Sequence, residues 1–340
     1  MKHGESASPG SARVGTGSAG GKVILLGEHA VVYGVPGLAA GIDRGASARA
    51  CVLPSAGASR LRLGGAEVVA SDAEGAPELA RALAALLRAG SQPGAALGIE
   101  AEAELPPGGG LGCSAALGVA IARAVEGALG EPGEELALEA RIARRANAWE
   151  GIFHGNPSGI DTAAALTGGC LRFVRGEGAT RVASEHELWL AVGHSGTSAS
   201  TRAMVEQVAR LGERRPPVLE RFLASVASLV DRAEGALAAG DAAELGRLFD
   251  LNQMLLAGLM LSTDTIEAMC AEARSRGAFG AKLTGSGGGG AVIALAGAAR
   301  PSEAARVDEA RALAEHLVRG WVAQGRAAFF TRIRSSEPQR

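Results

Sequence analysis

The 340-residue sequence predicts an α+β protein of two domains. Three observations carry this. Up to about residue 185, strand-like and helix-like segments are mixed irregularly, without the even βαβ repeat of a doubly wound sheet. From Ser200 to about Arg276 the pattern is nearly all helical, and a run of strand, helix and strand closes the chain. The length also exceeds what one small core organises. The division expected is residues 1–19 as a disordered leader, 20–185 as an N-terminal domain and 186–334 as a C-terminal domain. No internal repeat is present.

Taken in order, residues 1–19 are rich in Gly, Ser and Ala and lack the apolar core of a signal peptide. Residues 23–26 form a short apolar run, and 46–53 and 97–105 alternate as half-buried strands do. Helical spacing of apolar residues marks 77–89, 113–129 and 134–149. Asn156-Pro157 reads as a helix start, with Asn as N-cap and Pro at the first helical position; that helix runs to about Leu166 and carries Asp161 in its second turn. Residues 171–174 and 188–192 read as strands. The helical stretch beyond Ser200 is broken at Arg215-Pro216-Pro217 and near Gly240. A strand over 291–295, a helix over 302–318 and a strand over 327–333 complete the chain.

Hydrophobic content of 47% with 21% charged residues describes a globular protein, and only 3% aromatics means a core of Ala, Leu and Val with closely packed helices. A net charge of −2 and the lack of basic runs with interleaved aromatics leave no electrostatic footprint for nucleic acid. No apolar run reaches membrane-spanning length. Cys51, Cys113, Cys170 and Cys270 are scattered, without a C-x-x-C pair, which argues against a zinc site or disulfide framework and for a reducing cytoplasm.

Chemistry concentrates in three glycine-rich segments, at 20–29 (GGKVILLGEH), 106–116 (PPGGGLGCSAA) and 282–290 (KLTGSGGGG). The middle one passes directly into a helical pattern, so its backbone N–H groups and the helix N-terminus converge on an anion, best read as a nucleotide phosphate. Pro106, Pro107, Gly108, Gly109, Gly110, Leu111, Gly112, Cys113, Ser114 and Ala115 are the residues expected to cradle it. Familiar nucleotide motifs fail. No Lys-Ser/Thr follows the glycines as a Walker A loop requires, and the G-x-G-x-x-G at 285–290 leads into a strand-like run rather than a helix. Protein-kinase H-R-D and D-F-G motifs are absent.

The Ser114 hydroxyl, at the start of the following helix, can ligate Mg²⁺. Glu150 and Asp161 end one helical pattern and enter the next, so the turn between them can bring both to one cleft, Glu150 as metal ligand and Asp161 as base. Asp161 sits among Ile160, Ala163 and Ala164, a poor place for an unpaired charge. Lysine is rare here, only Lys2, Lys22 and Lys282 against a background of arginine, and Lys22 is the cation expected to face Asp161. Glu28 and His29, directly after the first strand, suit a hydroxylated, anionic substrate. Cys113 has no His or acid partner indicated and is read as packing.

These residues, from Gly20 to Arg334, resemble in order the three motifs of the galactokinase, homoserine kinase, mevalonate kinase and phosphomevalonate kinase (GHMP) superfamily. The first motif and the stretch from His154 to Asp161 are most similar to its mevalonate-phosphorylating branch. The resemblance implies a ribosomal-protein S5 domain 2-like N-terminal domain, a ferredoxin-like C-terminal domain, ATP and Mg²⁺ as cofactors, and transfer of the γ-phosphoryl group to the 5-hydroxyl of (R)-mevalonate. It implies Asp161 as base, Lys22 as its cationic neighbour, Ser114 and Glu150 as Mg²⁺ ligands, and Glu28 and His29 as substrate contacts. Ser200-Thr201 resembles a Ser-Thr-Lys segment near the phosphates and adds Thr201 to the substrate contacts, but Arg202 stands where Lys is usual. Cys113 replaces a common Ser, and Ser286 a common Ala. The expected partner is the small-molecule substrate, with no nucleic acid or membrane, and a homodimer is compatible with this reading. Two rival readings are another small-molecule kinase of the superfamily, acting on phosphomevalonate or a sugar, and an idle ligand-binding sensor. Retention of Lys22, Ser114, Glu150 and Asp161 together speaks against the sensor.

Overall fold

A computed structural model of the chain describes residues 13–54, 57–90, 95–106, 109–130, 134–154, 159–297 and 303–337. Pro107, Gly108, Asn156 and Pro157 lie outside the described residues. In chain order the elements are β1 (Val14–Leu26), a short 3-10 helix (Ala30–Tyr33), β2 (Gly37–Val52), β3 (Arg60–Leu63), β4 (Ala66–Val69), α1 (Glu78–Arg88), β5 (Leu97–Ala103), α2 (Cys113–Leu129), α3 (Glu135–His154), α4 (Ile160–Thr167), β6 (Cys170–Val174) and β7 (Gly178–Arg181). There follow β8 (Leu188–His194), α5 (Thr201–Arg214), α6 (Pro216–Ala238), α7 (Ala242–Gly258), α8 (Asp264–Ser275), β9 (Gly280–Thr284), β10 (Ala291–Ala296), α9 (Glu303–Ala323) and β11 (Ala328–Ile333).

The chain divides into two compact units, and β1 and β2 each pass from one to the other. Unit 1 comprises residues up to Ala19, Ala46–Ala103 and Ala115–Asn156. In it the second half of β2 pairs antiparallel with β5, β5 pairs parallel with β3, and β3 turns back on β4. Residues 14–19, expected as part of a disordered leader, are instead the start of β1. Their small side chains serve close packing: a Cβ at Gly15 would lie 2.0 Å from Ala124 O on α2, and one at Gly17 2.2 Å from Ala120 O. Glycine is the residue that lets strand and helix backbones approach so closely. The same composition that looks like a flexible leader is thus an interface.

In unit 1 the buried Arg145 of α3 joins three helices. Its Nη1 donates to Leu86 O and Leu87 O, both at 3.0 Å, in the last turn of α1, and its Nε donates to Glu126 Oε1 on α2 at 2.6 Å. The last carbonyls of a helix have no partner within it and carry its negative end, so a guanidinium there meets both needs. Arg141 Nε takes the other Glu126 oxygen at 2.7 Å.

Unit 2 comprises Gly20–Gly45, Glu104–Ser114 and Pro157–Arg340. The first residues of β2 pair with β6, which turns back on β7. A separate four-stranded antiparallel sheet runs β11-β8-β10-β9. β8 and β10 are near-continuous apolar runs, as strands at the centre of a covered sheet must be, and one core joins them to α6, α7, α8 and α9. Burial pushes the thiols of Cys170 and Cys270 up to about 12, which makes them inert packing residues.

Candidate active site

The three glycine-rich segments, dispersed over more than 250 residues of sequence, meet within unit 2. Lys22 N in β1 donates to Leu111 O of the middle segment at 2.9 Å. Gly112 has φ 70°, and a Cβ there would stand 2.8 Å from Lys22 Cγ, so glycine is required both for the backbone and for passage of the lysine stem. Gly110 lies against Thr284 and Gly285 of the third segment.

Past Gly112 the Lys22 ammonium reaches Asp161 Oδ1 at 3.0 Å, with the two side chains 5% and 34% exposed. Asp161 stands in the first turn of α4, not the second, because the helix begins at Ile160 after Gly159 at φ 88°. The first-turn position sets the carboxylate at the positive end of the helix. Its Oδ1 is buried and, apart from the Lys22 ammonium, meets no hydrogen-bond donor among the described residues.

Glu28 is buried, and both of its oxygens are engaged. Oε1 meets the fully buried Lys282 ammonium, and Oε2 accepts from Asn252 Nδ2 of α7 at 2.9 Å. Burial pushes the Lys282 amine down from its ordinary range, and the Glu28 charge and hydrogen bond work against that shift. His29 follows at φ 62°, rare for a residue with a side chain, and its Nε2 is 2.8 Å from Ser286 O. Burial lowers the His29 pKa, opposed by the Ser286 hydrogen bond and the Glu28 charge, so the ring is neutral near pH 7. A carbonyl only accepts, hence Nε2 carries the proton and Nδ1 is an acceptor.

Thr201 opens α5, where the Ser200 hydroxyl caps the helix by accepting from Ala203 N, and Thr201 Oγ1 is 3.3 Å from Ser286 Oγ. The serine in the place of a common alanine therefore ties the third glycine segment to α5. Arg202 turns away along its own helix to Glu206 at 2.9 Å. Cys113 Sγ donates to Leu105 O at 3.4 Å, closing the middle segment at its ends. Pro106, Gly109, Gly110, Leu111 and Ser114 belong to unit 2; Ala115 on α2 and Glu150 on α3 belong to unit 1.

Sequence reasoning passed over Asn252, Gln253 and Thr284. Gln253 Oε1 accepts from Leu283 N at 2.8 Å, and Thr284 Oγ1 bonds both Ile24 N at 2.8 Å and Ile24 O at 3.1 Å. Two adjacent amides inside the apolar helix of α7 were the available signal.

For a metal, no group of three or more His, Cys, Asp or Glu side chains that could hold one exists among the described residues. A serine hydroxyl such as that of Ser114 and a buried carboxylate such as that of Glu150, 1% exposed, are each hard oxygen donors of the kind Mg²⁺ takes beside waters and substrate phosphate oxygens.

Comparison with known proteins identifies the family. Residues 78–169 match the GHMP kinases N-terminal domain model and residues 233–319 the GHMP kinases C-terminal model. The chain is 35% identical over 310 residues to mevalonate kinase of Thermococcus onnurineus, covering 82% of this chain and 88% of the relative. It is 35% identical over 280 residues to mevalonate kinase of Methanothermobacter thermautotrophicus, with the same coverage. Among solved structures, L. major mevalonate kinase in complex with R-mevalonate superposes with a TM-score of 0.79 at 26% identity, covering 96% of this chain and 97% of that one. Lactococcus lactis galactokinase complexed with galactose, at 16% identity and a TM-score of 0.72 over 95% of this chain and 94% of that one, shares the fold.

Proposed function

The chain belongs to the mevalonate kinase family of GHMP kinases, and from that premise we infer that it transfers the γ-phosphoryl group of ATP to the 5-hydroxyl of (R)-mevalonate. The observation that carries the mechanism is the Lys22–Asp161 pair. Asp161 Oδ1, buried beside Lys22, takes the proton of the acceptor hydroxyl as the oxygen attacks phosphorus. Lys22 orients the carboxylate before the transfer. The glycine segment from Pro106 to Gly112 and the start of α2, through Ser114 and Ala115, receive the phosphates on the backbone N–H groups of their non-proline residues. His29, with Nδ1 as acceptor, and Thr201 bind the substrate. Phosphoryl transfer asks mainly for positioning and charge stabilisation, which this set supplies.

Ser114 and Glu150 would hold Mg²⁺, which, when bound, would neutralise charge on the phosphates. Ser114→Ala and Glu150→Gln are expected to raise the Mg²⁺ concentration for half-maximal rate at least about tenfold in a folded protein. Titration of initial rate against Mg²⁺ checks this, and wild-type rates at limiting metal would remove both residues from the metal site.

A coupled ADP-release assay across mevalonate, phosphomevalonate, galactose and homoserine tests the substrate. Mevalonate is expected to lead by on the order of 10²-fold or more in kcat/KM, because a site built to pair a substrate's polar groups rejects analogues that leave them unpaired. Comparable turnover with any of the others would point to a different acceptor. A cytoplasmic location, a homodimeric assembly and a domain boundary near residue 186 complete the proposal. In support of that boundary, all strands of the four-stranded sheet come from Leu188 onward. Among the described residues no helix is long and apolar enough to cross a membrane.

A further inference from the structure

The Lys282 side chain on β9 has no solvent exposure, and neither has that of its partner Glu28. An ammonium offers three N–H donors and accepts nothing. Lys282 Nζ has three oxygen acceptors: Leu283 O at 2.5 Å, Ile24 O at 3.4 Å and Glu28 Oε1. Burying an ion pair costs so much desolvation that an apolar pair of the same size is often equally stable, so stability is a weak reason for placing one here. Geometry is a stronger one. Lys282 and Thr284 both grip Ile24 at the end of β1, and Asn252 of α7 completes the hold on Glu28. The next residue, His29, keeps its unfavourable backbone conformation between two fixed points, Glu28 before it and Ser286 O on its ring.

We propose that Lys282 is a positioning residue for the acceptor side of the active site: by anchoring Glu28 it holds the turn of residues 27–29, and with it the His29 imidazole, where the hydroxylated acid is received. Glu28 then acts through His29, with its own carboxylate spent on the anchor. The inference rests on the mevalonate kinase reading.

The test compares the full chain with the Glu28→Gln/Lys282→Met double variant, which replaces the charged pair by a neutral one of similar length, and with Asn252→Ala, which removes one hydrogen bond to Glu28 and leaves the ion pair. For the double variant, KM for mevalonate is expected to rise about tenfold or more, with KM for ATP and the melting temperature little changed. Asn252→Ala is expected to move KM for mevalonate about two- to fivefold in the same direction, again without KM for ATP. A purely structural brace would move both KM values together or neither, and either result in a folded variant overturns the inference. If the double variant does not fold, Asn252→Ala decides on the same criterion. A wild-type chain inert toward mevalonate would sink the functional reading itself; an active wild type with variants of unaltered mevalonate KM would sink this inference alone.

Discussion

Asp161→Asn is expected to lower kcat by about 10²- to 10⁴-fold while KM for ATP stays near the wild-type value, because the change keeps the side chain's size and deletes its basicity. The geometry makes the result specific. Asp161 Oδ1 is buried, faces Lys22 at 3.0 Å and meets no other hydrogen-bond donor among the described residues. Lys22→Met should also slow the reaction, since a carboxylate in this neighbourhood loses its counter-charge. Lys22→Arg is the sharper control. The lysine stem passes Gly112 with no room for even a Cβ at that position, and a planar guanidinium cannot follow the same path as a compact ammonium. Steady-state rates under saturating substrates check the set. Retention by Asp161→Asn of more than roughly a tenth of wild-type kcat would reduce Asp161 to a structural carboxylate.

Arg145→Met is expected to destabilise unit 1 by about 3 kcal/mol, the lower end of what breaking a buried ion pair costs, since Arg141 remains beside Glu126. That corresponds to a fall of roughly 6–12 °C in melting temperature. The loss has two parts: Glu126 keeps one cationic partner instead of two, and the Leu86 and Leu87 carbonyls at the end of α1 lose the guanidinium donor, with Leu87 O keeping its bond from Gly90 N. Calorimetry of Arg145→Met against Arg145→Met/Glu126→Gln separates them, because the double variant removes the under-paired charge and should recover part of the stability. A melting temperature unchanged by Arg145→Met would show that the cluster holds no net stability.

The same cluster sets a pH dependence. Burial pushes the Glu126 carboxyl up, but the hydrogen bonds and charges of Arg141 and Arg145 outweigh it and hold the pKa below the ordinary glutamate range. A carboxyl with a lowered folded-state pKa stabilises the fold above its unfolded pKa of about 4.3, and the contribution is lost as pH falls through the lower folded value. In Arg145→Met the acid-side loss of stability should therefore be smaller than in the wild type.

Helices with strong periodicity were legible in the sequence. The one expected at 113–129 spans Cys113–Leu129, and the one at 77–89 spans Glu78–Arg88 behind Pro77. β3, β4 and β7 were not, since each has four residues, with no more than one of the four buried, and is specified by its partner strand rather than by its own pattern. The nearly continuous helical pattern after Ser200 hid the start of α8, where Thr263 caps the helix by accepting from Ile266 N after a reversal at Met260, φ 59°.

As candidates for the site, residue types and spacing marked Lys22, Glu28, His29, the 106–115 segment, Ser114, Glu150 and Asp161, because glycine in an expected phosphate cradle and an acid in an apolar stretch each report a local chemical need; the structure brings Lys22 to Asp161. Consecutive residues determine that much: periodicity, caps and the φ values that only glycine accepts easily are properties of neighbouring atoms. Which distant groups meet is another matter. Lys282 and Glu28 are 254 residues apart, Thr284 and Ile24 are 260 apart, and the Asn252 amide joins them from a third element. Nothing in a stretch of β-strand says that its lysine will be enclosed with a glutamate from the far end of the chain; only packing that closes both off from water makes the pairing obligatory, since a buried charge without its partner is too costly to keep. Tertiary structure thus decided the second ion pair, the strained His29 backbone it frames and the ring nitrogen left as acceptor.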